Sequence, residues 1–133
     1  MLDLLVLERR LYRVVAVMDG DGCPALDFLS NVPAHLQSSS DGLLEMLQHV
    51  AERGFHGVPP GWTKEANKAL RIMEFKKGDL RLFFFHGRNG DIAVCTCGVV
   101  KSGQKADKAS IKLSATMKKQ YDKTPEDQLI YKE

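Results

Sequence analysis

The sequence predicts an α+β fold: a small, antiparallel-rich twisted sheet with helices packed on one face, in the order β-α-α-β-β-β-α. Three observations carry this. The apolar runs Leu80 to Phe85 and Ile92 to Val100 flank the turn Gly87-Arg88-Asn89-Gly90, the pattern of a β-hairpin. A Val-rich segment, Leu11 to Met18, ends abruptly at Asp19-Gly20-Asp21-Gly22 and reads as an earlier strand. Two later stretches, one after Gly42 and one before Tyr121, repeat apolar residues at helical spacing.

The elements follow in order. Val14, Ala16 and Met18, or Val15 and Val17, give the first strand its buried face. Pro24 opens a short helix, at a position where its missing N–H is not needed, and Leu26, Phe28 and Leu29 are its apolar side. Pro33 can open another turn, and Ser38-Ser39-Ser40-Asp41 reads as a loop or a weak helical stretch. Leu43, Leu44, Leu47 and Val50 make the next helix, with Gly54 as its stop. Phe55 to Trp62 is rich in Gly and Pro and reads as a loop. A strand from about Leu70 to Phe75, a turn over Lys76 to Asp79 and the hairpin follow. Ala109, Leu113, Met117 and Tyr121 stand four apart on a terminal helix, and the charged residues 122–133 read as a frayed tail.

The chain has 133 residues, the size of a single domain with a real core, so one domain over 1–133 is predicted. No apolar run approaches the roughly 18 residues of a membrane span. No basic segment precedes Leu4-Leu5-Val6 and Glu8 follows closely, so a secretory signal is not predicted. The three cysteines, Cys23, Cys95 and Cys97, form no framework, which points to a reducing cytoplasm. Cys95 and Cys97, two apart, are expected on one strand face as small core hydrophobes. No metal or other cofactor is predicted: there is no second Cys pair, and His35, His49, His56 and His86 are scattered.

The net charge of +2 hides an asymmetry. Residues 1–60 carry four basic and eight acidic side chains, a net −4; residues 61–121 carry thirteen and five, a net +8. A positive half beside a negative one suits a polyanion partner on one face, although a lysine coat that only keeps the surface soluble has the same composition. Arg81 enters the first hairpin strand, and Lys101 and Lys105 follow the second. Cations on and beside a rigid sheet are what a phosphodiester backbone requires. The plainer readings are an Arg81 that pairs with Glu74, lysines that are merely solvated, and a His86 that only sits beside a turn. Phe83, Phe84 and Phe85 read mostly as core, and Trp62 as a stacking platform or a plug over the core edge.

Over nearly its whole length the chain resembles the RelE/ParE superfamily of bacterial toxins, and within it the HigB-like, phage-associated branch. The N-terminal part is similar in its strand Val14 to Val17, its Asp21-Gly22 turn, Asp27-Phe28-Leu29, and the helix Leu43 to Gly54. The C-terminal part is similar in Glu74-Phe75-Lys76, in Arg81-Leu82-Phe83-Phe84-Phe85, and in Gly98-Val99-Val100-Lys101-Ser102-Gly103-Gln104-Lys105. Four positions depart from the family: Lys76 where Arg is usual, Ser102 where a second Lys is common, and Ala106-Asp107 in place of Thr-Pro.

The resemblance implies a cytoplasmic toxin of a type II toxin–antitoxin system, with a RelE-like fold. It implies a metal-independent, ribosome-dependent mRNA endonuclease neutralised by a small helix-turn-helix antitoxin. Such chemistry needs a base for the ribose 2′-OH, cations for the charge that grows on phosphorus, and an acid for the 5′-oxygen. Clustered lysines can serve as bases, because neighbouring positive charge favours their neutral form. By position, Arg81 is the candidate for transition-state stabilisation, Lys76 and Lys101 for base or phosphate clamp, and His86 for acid or base. Arg71 and Lys105 are candidate contacts to mRNA or ribosomal RNA. Two alternatives belong to other classes: a ParE-like toxin that poisons gyrase through protein contacts, and an inactive prophage relative that only binds a partner protein.

Overall fold

The computed structural model describes residues 1–101 and 107–133. It is mixed α and β, with a sheet larger and more fully covered than the sequence predicts. Seven strands form one sheet: β1 (Leu2–Arg9), β2 (Arg13–Val17), β3 (Thr63–Asn67), β4 (Ile72–Lys77), β5 (Leu80–Phe85), β6 (Asp91–Val100) and β7 (Leu129–Lys132). The helices are α1 (Pro24–Ser30), α2 (Gln37–Arg53) and α3 (Lys108–Lys123). The spatial strand order is β3-β4-β5-β6-β2-β1-β7. β2 runs parallel to β6 and β7 parallel to β1; the other neighbours are antiparallel.

The expected order gains three strands. β1 and β3 were not predicted, because LDLLVLER and TKEAN lack the clean apolar–polar alternation that marks a strand. The supposed frayed tail contains β7, which pairs with β1. The Lys76–Asp79 turn is shorter than expected, since Lys76 and Lys77 belong to β4.

The expectation of helices on one face is overturned. α1 and α2 cover one side of the sheet, where Val14, Ala16, Leu43, Leu47, Val50, Phe75, Leu82 and Phe84 form one core. α3 covers the other, where Val15, Val17, Ile72, Phe83, Phe85, Met117 and Tyr121 form a second. β2 therefore has no solvent face, and its unbroken Val14–Val17 run serves both cores in alternation. All three phenylalanines, Phe83 to Phe85, are core for the same reason and are not available to stack on bases.

α2 starts at Gln37, so the serine stretch is helical, with Ser40 buried and its hydroxyl 3.5 Å from the Leu29 carbonyl. Gly54 ends the helix with a left-handed φ of 72°. On α3 the buried stripe is Ser110, Ser114, Met117 and Tyr121, whereas Leu113 is exposed. Asp107 caps this helix by accepting from the Ser110 backbone N–H at 2.9 Å and its hydroxyl at 2.6 Å.

A bulge in β6 sets which side chains meet α3. Leu82 pairs with Gly98 but Phe84 pairs with Cys95, so β6 carries one residue more than β5 across this stretch. Thr96 and Cys97 consequently both face α3, where the Thr96 and Ser114 hydroxyls lie 2.6 Å apart. Cys95 packs in the α1/α2 core and Cys97 in the α3 core, so the two sulfurs do not share a face. Gly98 lies directly under the Phe28 ring of α1, and any Cβ there would collide with it.

Candidate functional site

The β4–β5 turn brings most of the predicted cations to one end of the sheet. Lys77 pairs with Leu80 across Gly78-Asp79, and Gly78 takes a left-handed φ of 55° to close the turn. Lys76 is thereby the cross-strand partner of Arg81, which pairs in turn with Val99 on β6. Two residues past Val99, the Lys101 backbone N–H donates to the Asp79 carbonyl at 2.6 Å. Arg81 and Lys76 thus sit on adjacent strands and Lys101 directly follows the third, all at the same end of the sheet.

Arg81 is held from several directions. Its Nη1 donates to the carbonyls of Gly78 at 2.7 Å and Leu80 at 2.8 Å. Its Nε lies 3.7 Å from Oε1 of the buried Glu74, close enough for charge attraction and too far for a hydrogen bond. That Nε is buried with no hydrogen-bond partner among the described residues. Like charges directly opposite on neighbouring strands repel. Glu74, diagonal to Arg81 on β4, offsets the repulsion between Arg81 and Lys76.

The structure does not bring His86 to this cluster. His86 directly follows β5, five residues after Arg81, roughly 16 Å along the strand direction and on the opposite face. Its exposed ring stands edge-on to Phe55 at 5.0 Å and to Phe84 at 5.6 Å. It borders a cavity of about 320 Å³ with Tyr12, Phe55 and Ile92. Arg71 is also distant, at the far end of β4 in the β3–β4 turn, with a left-handed φ of 58°. It lines a groove of about 340 Å³ with Lys118, Lys119 and Asp122 of α3. Lys105 lies outside the described residues, as do Ser102, Gln104 and Ala106. Trp62 packs against the α1/α2 core with its ring 5.1 Å from that of His49, in the manner of a plug.

Sequence reasoning missed a dense polar cluster. Asp91, the first residue of β6, has a fully buried side chain. It accepts from Arg13 Nε at 2.7 Å, from the Tyr121 hydroxyl at 2.8 Å and from the Tyr131 hydroxyl at 2.7 Å. The Arg13 guanidinium lies over the Tyr131 ring at 4.6 Å, and Arg88 over the Tyr121 ring at 4.6 Å. Arg88 also donates to the Tyr121 carbonyl at 3.1 Å and to that of Thr124. Burial opposes the charge on Arg13, but its hydrogen bond and attraction to Asp91 outweigh this and raise its pKa. Burial, helped by the Asp91 charge, raises both the Tyr121 and Tyr131 pKa values. The sequence signal was an Asp placed between a turn and an apolar strand.

The three cysteines are buried thiols, and burial raises the pKa of Cys23 and of Cys95. Among the described residues no three His, Cys, Asp or Glu side chains group as metal ligands would, and no helix is long and apolar enough to cross a membrane. No family model matches the chain, and no curated protein matches it significantly.

Proposed function

We propose that this chain is a metal-independent endoribonuclease of the RelE/ParE kind, the toxin half of a type II toxin–antitoxin pair, which cuts translated mRNA on the ribosome. The observation that supports this is the meeting of Arg81, Lys76 and Lys101 at one edge of three hydrogen-bonded strands. Rigid strands hold cations in fixed register, which transition-state stabilisation requires.

In this reading the ribose 2′-oxygen attacks the adjacent phosphorus, the P–O5′ bond breaks, and a 2′,3′-cyclic phosphate and a free 5′-hydroxyl result. Lys76 takes the 2′-OH proton, Lys101 returns a proton to the departing 5′-oxygen, and Nη2 of Arg81, the outer nitrogen not donating to the Gly78 and Leu80 carbonyls, holds a phosphoryl oxygen. His86 has no part in the step, because it stands at the other end of β5. The cognate inhibitor is a small helix-turn-helix antitoxin, and the place of action is the cytoplasm, where the ribosomes are.

One observation favours a different reading. Arg81 already donates to two carbonyls and lies beside Glu74, so part of its hydrogen-bonding capacity is spent within the protein. That suits a catalytically inactive relative that only binds a partner protein. A gyrase poison has less support, since it has no need of a cation cluster.

Tightly induced expression in a bacterium, wild type beside Arg81→Ala, separates these readings. The nuclease reading expects growth arrest with new 5′ ends inside translated frames, both lost in the variant. Arrest with intact mRNA would point to gyrase or another protein target; no arrest from folded protein would leave the partner-binding reading. Because Arg81→Ala leaves the buried Glu74 without its cation, Lys76→Gln serves as a second variant. Antitoxin binding by both variants verifies that the fold persists.

A further inference from the structure

The outward face of α3 carries a line of lysines that the proposed chemistry does not use. Lys108, Lys112, Lys119 and Lys123 follow one another at intervals of four, seven and four residues. At 100° per residue these positions fall within about 60° of arc, one stripe some 22 Å long. All four are exposed, and among the described residues none is in an ion pair. Lys118, beside the stripe, is paired with Asp122 at 2.9 Å.

The placement of α3 relates the stripe to the cluster at Arg81. Ser110 contacts Cys97 near the C-terminal end of β6, and Tyr121 contacts Asp91 at its start, so α3 runs antiparallel to β6. The stripe therefore begins on the sheet end that holds Arg81, Lys76 and Lys101. It ends beside the groove that Arg71 lines together with Lys118, Lys119 and Asp122. Beyond it stand the acidic residues Glu126 and Asp127. On the opposite side of the molecule α2 exposes Asp41, Glu45 and Glu52 with Arg53, a surface of net negative charge.

We infer that the α3 stripe, with Arg71 at its far end, is a track for the backbone of the RNA strand whose phosphate is cut beside Arg81. This rests on the nuclease reading for its direction, but not for the binding itself. A negatively charged membrane surface is the poorer occupant. A helix that lies on lipid inserts an apolar face, and the apolar face of α3, with Met117 and Tyr121, is spent on the sheet. A polyanion with evenly spaced charges needs only the lysines.

The test uses 2′-O-methyl RNA, which lacks the attacking hydroxyl and is not cut. Oligomers of four and of twelve nucleotides are titrated against wild type, against K108Q/K112Q/K119Q/K123Q and against Arg81→Ala. The track expects the longer oligomer to bind wild type at least ten-fold more tightly than the shorter at low salt. The four-lysine variant should erase that difference and lower the slope of log affinity against log salt by about 3, at roughly 0.7 per lost phosphate contact. Arg81→Ala should retain the length dependence. A four-lysine variant that keeps the length dependence would overturn the track. So would phosphatidylserine vesicles that bind with the same lysine dependence while RNA does not. If the uncleavable RNA follows the stripe but its ribose counterpart stays intact on translating ribosomes, the track stands and the nuclease reading fails.

Discussion

The two ends of β6 solve the problem of charge at a sheet edge in opposite ways. At Asp91 the carboxylate is fully buried and receives three hydrogen bonds of 2.7 to 2.8 Å from β2, α3 and β7. At the other end Arg81 faces Glu74 at 3.7 Å, its Nε has no hydrogen-bond partner among the described residues, and Lys76 and Lys101 stand near it. The first arrangement is closed: four elements lock around one anion. The second gathers cations with a single buried carboxylate between them, and it leaves charge over for a ligand. Satisfied buried networks rigidify a fold, whereas unspent charge on a rigid frame is what binding sites use.

The largest expected effect is at the closed end. Asp91→Ala leaves Arg13 and two tyrosine hydroxyls without their shared acceptor. We expect a loss of about 3 to 5 kcal/mol in urea unfolding, the range for breaking a buried pair. Glu74→Gln, which disturbs a pair with no hydrogen bond, should lose about 1 kcal/mol in the same measurement. Equal losses from the two substitutions would erase the distinction between the ends.

Gly98→Ala tests the middle of the strand. The new methyl group meets the Phe28 ring, and relief requires α1 to move, so a loss of about 1 to 3 kcal/mol is expected. Adding Phe28→Ala should cancel the steric part, leaving the double variant less destabilised than the sum of the two singles.

The tyrosines of the closed end set a pH dependence with a definite sign. Burial and Asp91 raise the folded-state pKa values of Tyr121 and Tyr131 above the ordinary 10.0. Their contribution is complete below pH 10 and is lost as pH rises through the folded-state values, because the unfolded phenols ionise first. Stability should therefore fall from about pH 10 upward, with tyrosinate absorbance lagging behind that of urea-unfolded protein. Tyr131→Phe should weaken this fall.

A small effect, like that of Glu74→Gln, is expected at the α3 cap. Asp107→Ala removes the side-chain acceptor for the Ser110 N–H, with a loss of about 1 kcal/mol in thermal unfolding at neutral pH. The Ser110 hydrogen bonds lower the Asp107 pKa from 3.8, so the wild-type advantage should persist at neutral pH and vanish as the carboxylate protonates at low pH.

Much of the fold could be read from local pattern, and its failures share one cause. The β5–β6 turn was legible because Asn89 and Gly90 take left-handed φ values of 53° and 94°, which these residue types favour. Gly54 marked the end of α2 and Pro24 the start of α1 in the same way. By contrast β1 and β7 exist through their pairing with each other and with β2, which no short window encodes. The bulge at Thr96-Cys97 leaves no local mark, yet it turns two neighbouring side chains to one face and separates Cys95 from Cys97. Of the candidate site, Arg81, Lys76 and Lys101 were legible because strand pairing at a tight turn is a local matter. His86 was misgrouped because five residues along a strand are a long way in space.

The amino-acid sequence by itself determined the hairpin, the three helices, the concentration of positive charge after residue 61 and the cations at the β4–β5 turn. These follow from periodicity, turn chemistry and composition, which act over a few residues. Only the tertiary structure decided that both faces of the sheet are covered, that the C-terminal strand closes beside β1, and that the α3 lysines begin at the Arg81 edge. Those facts depend on which distant segments bury apolar surface against one another, and burial is a property of the assembled chain.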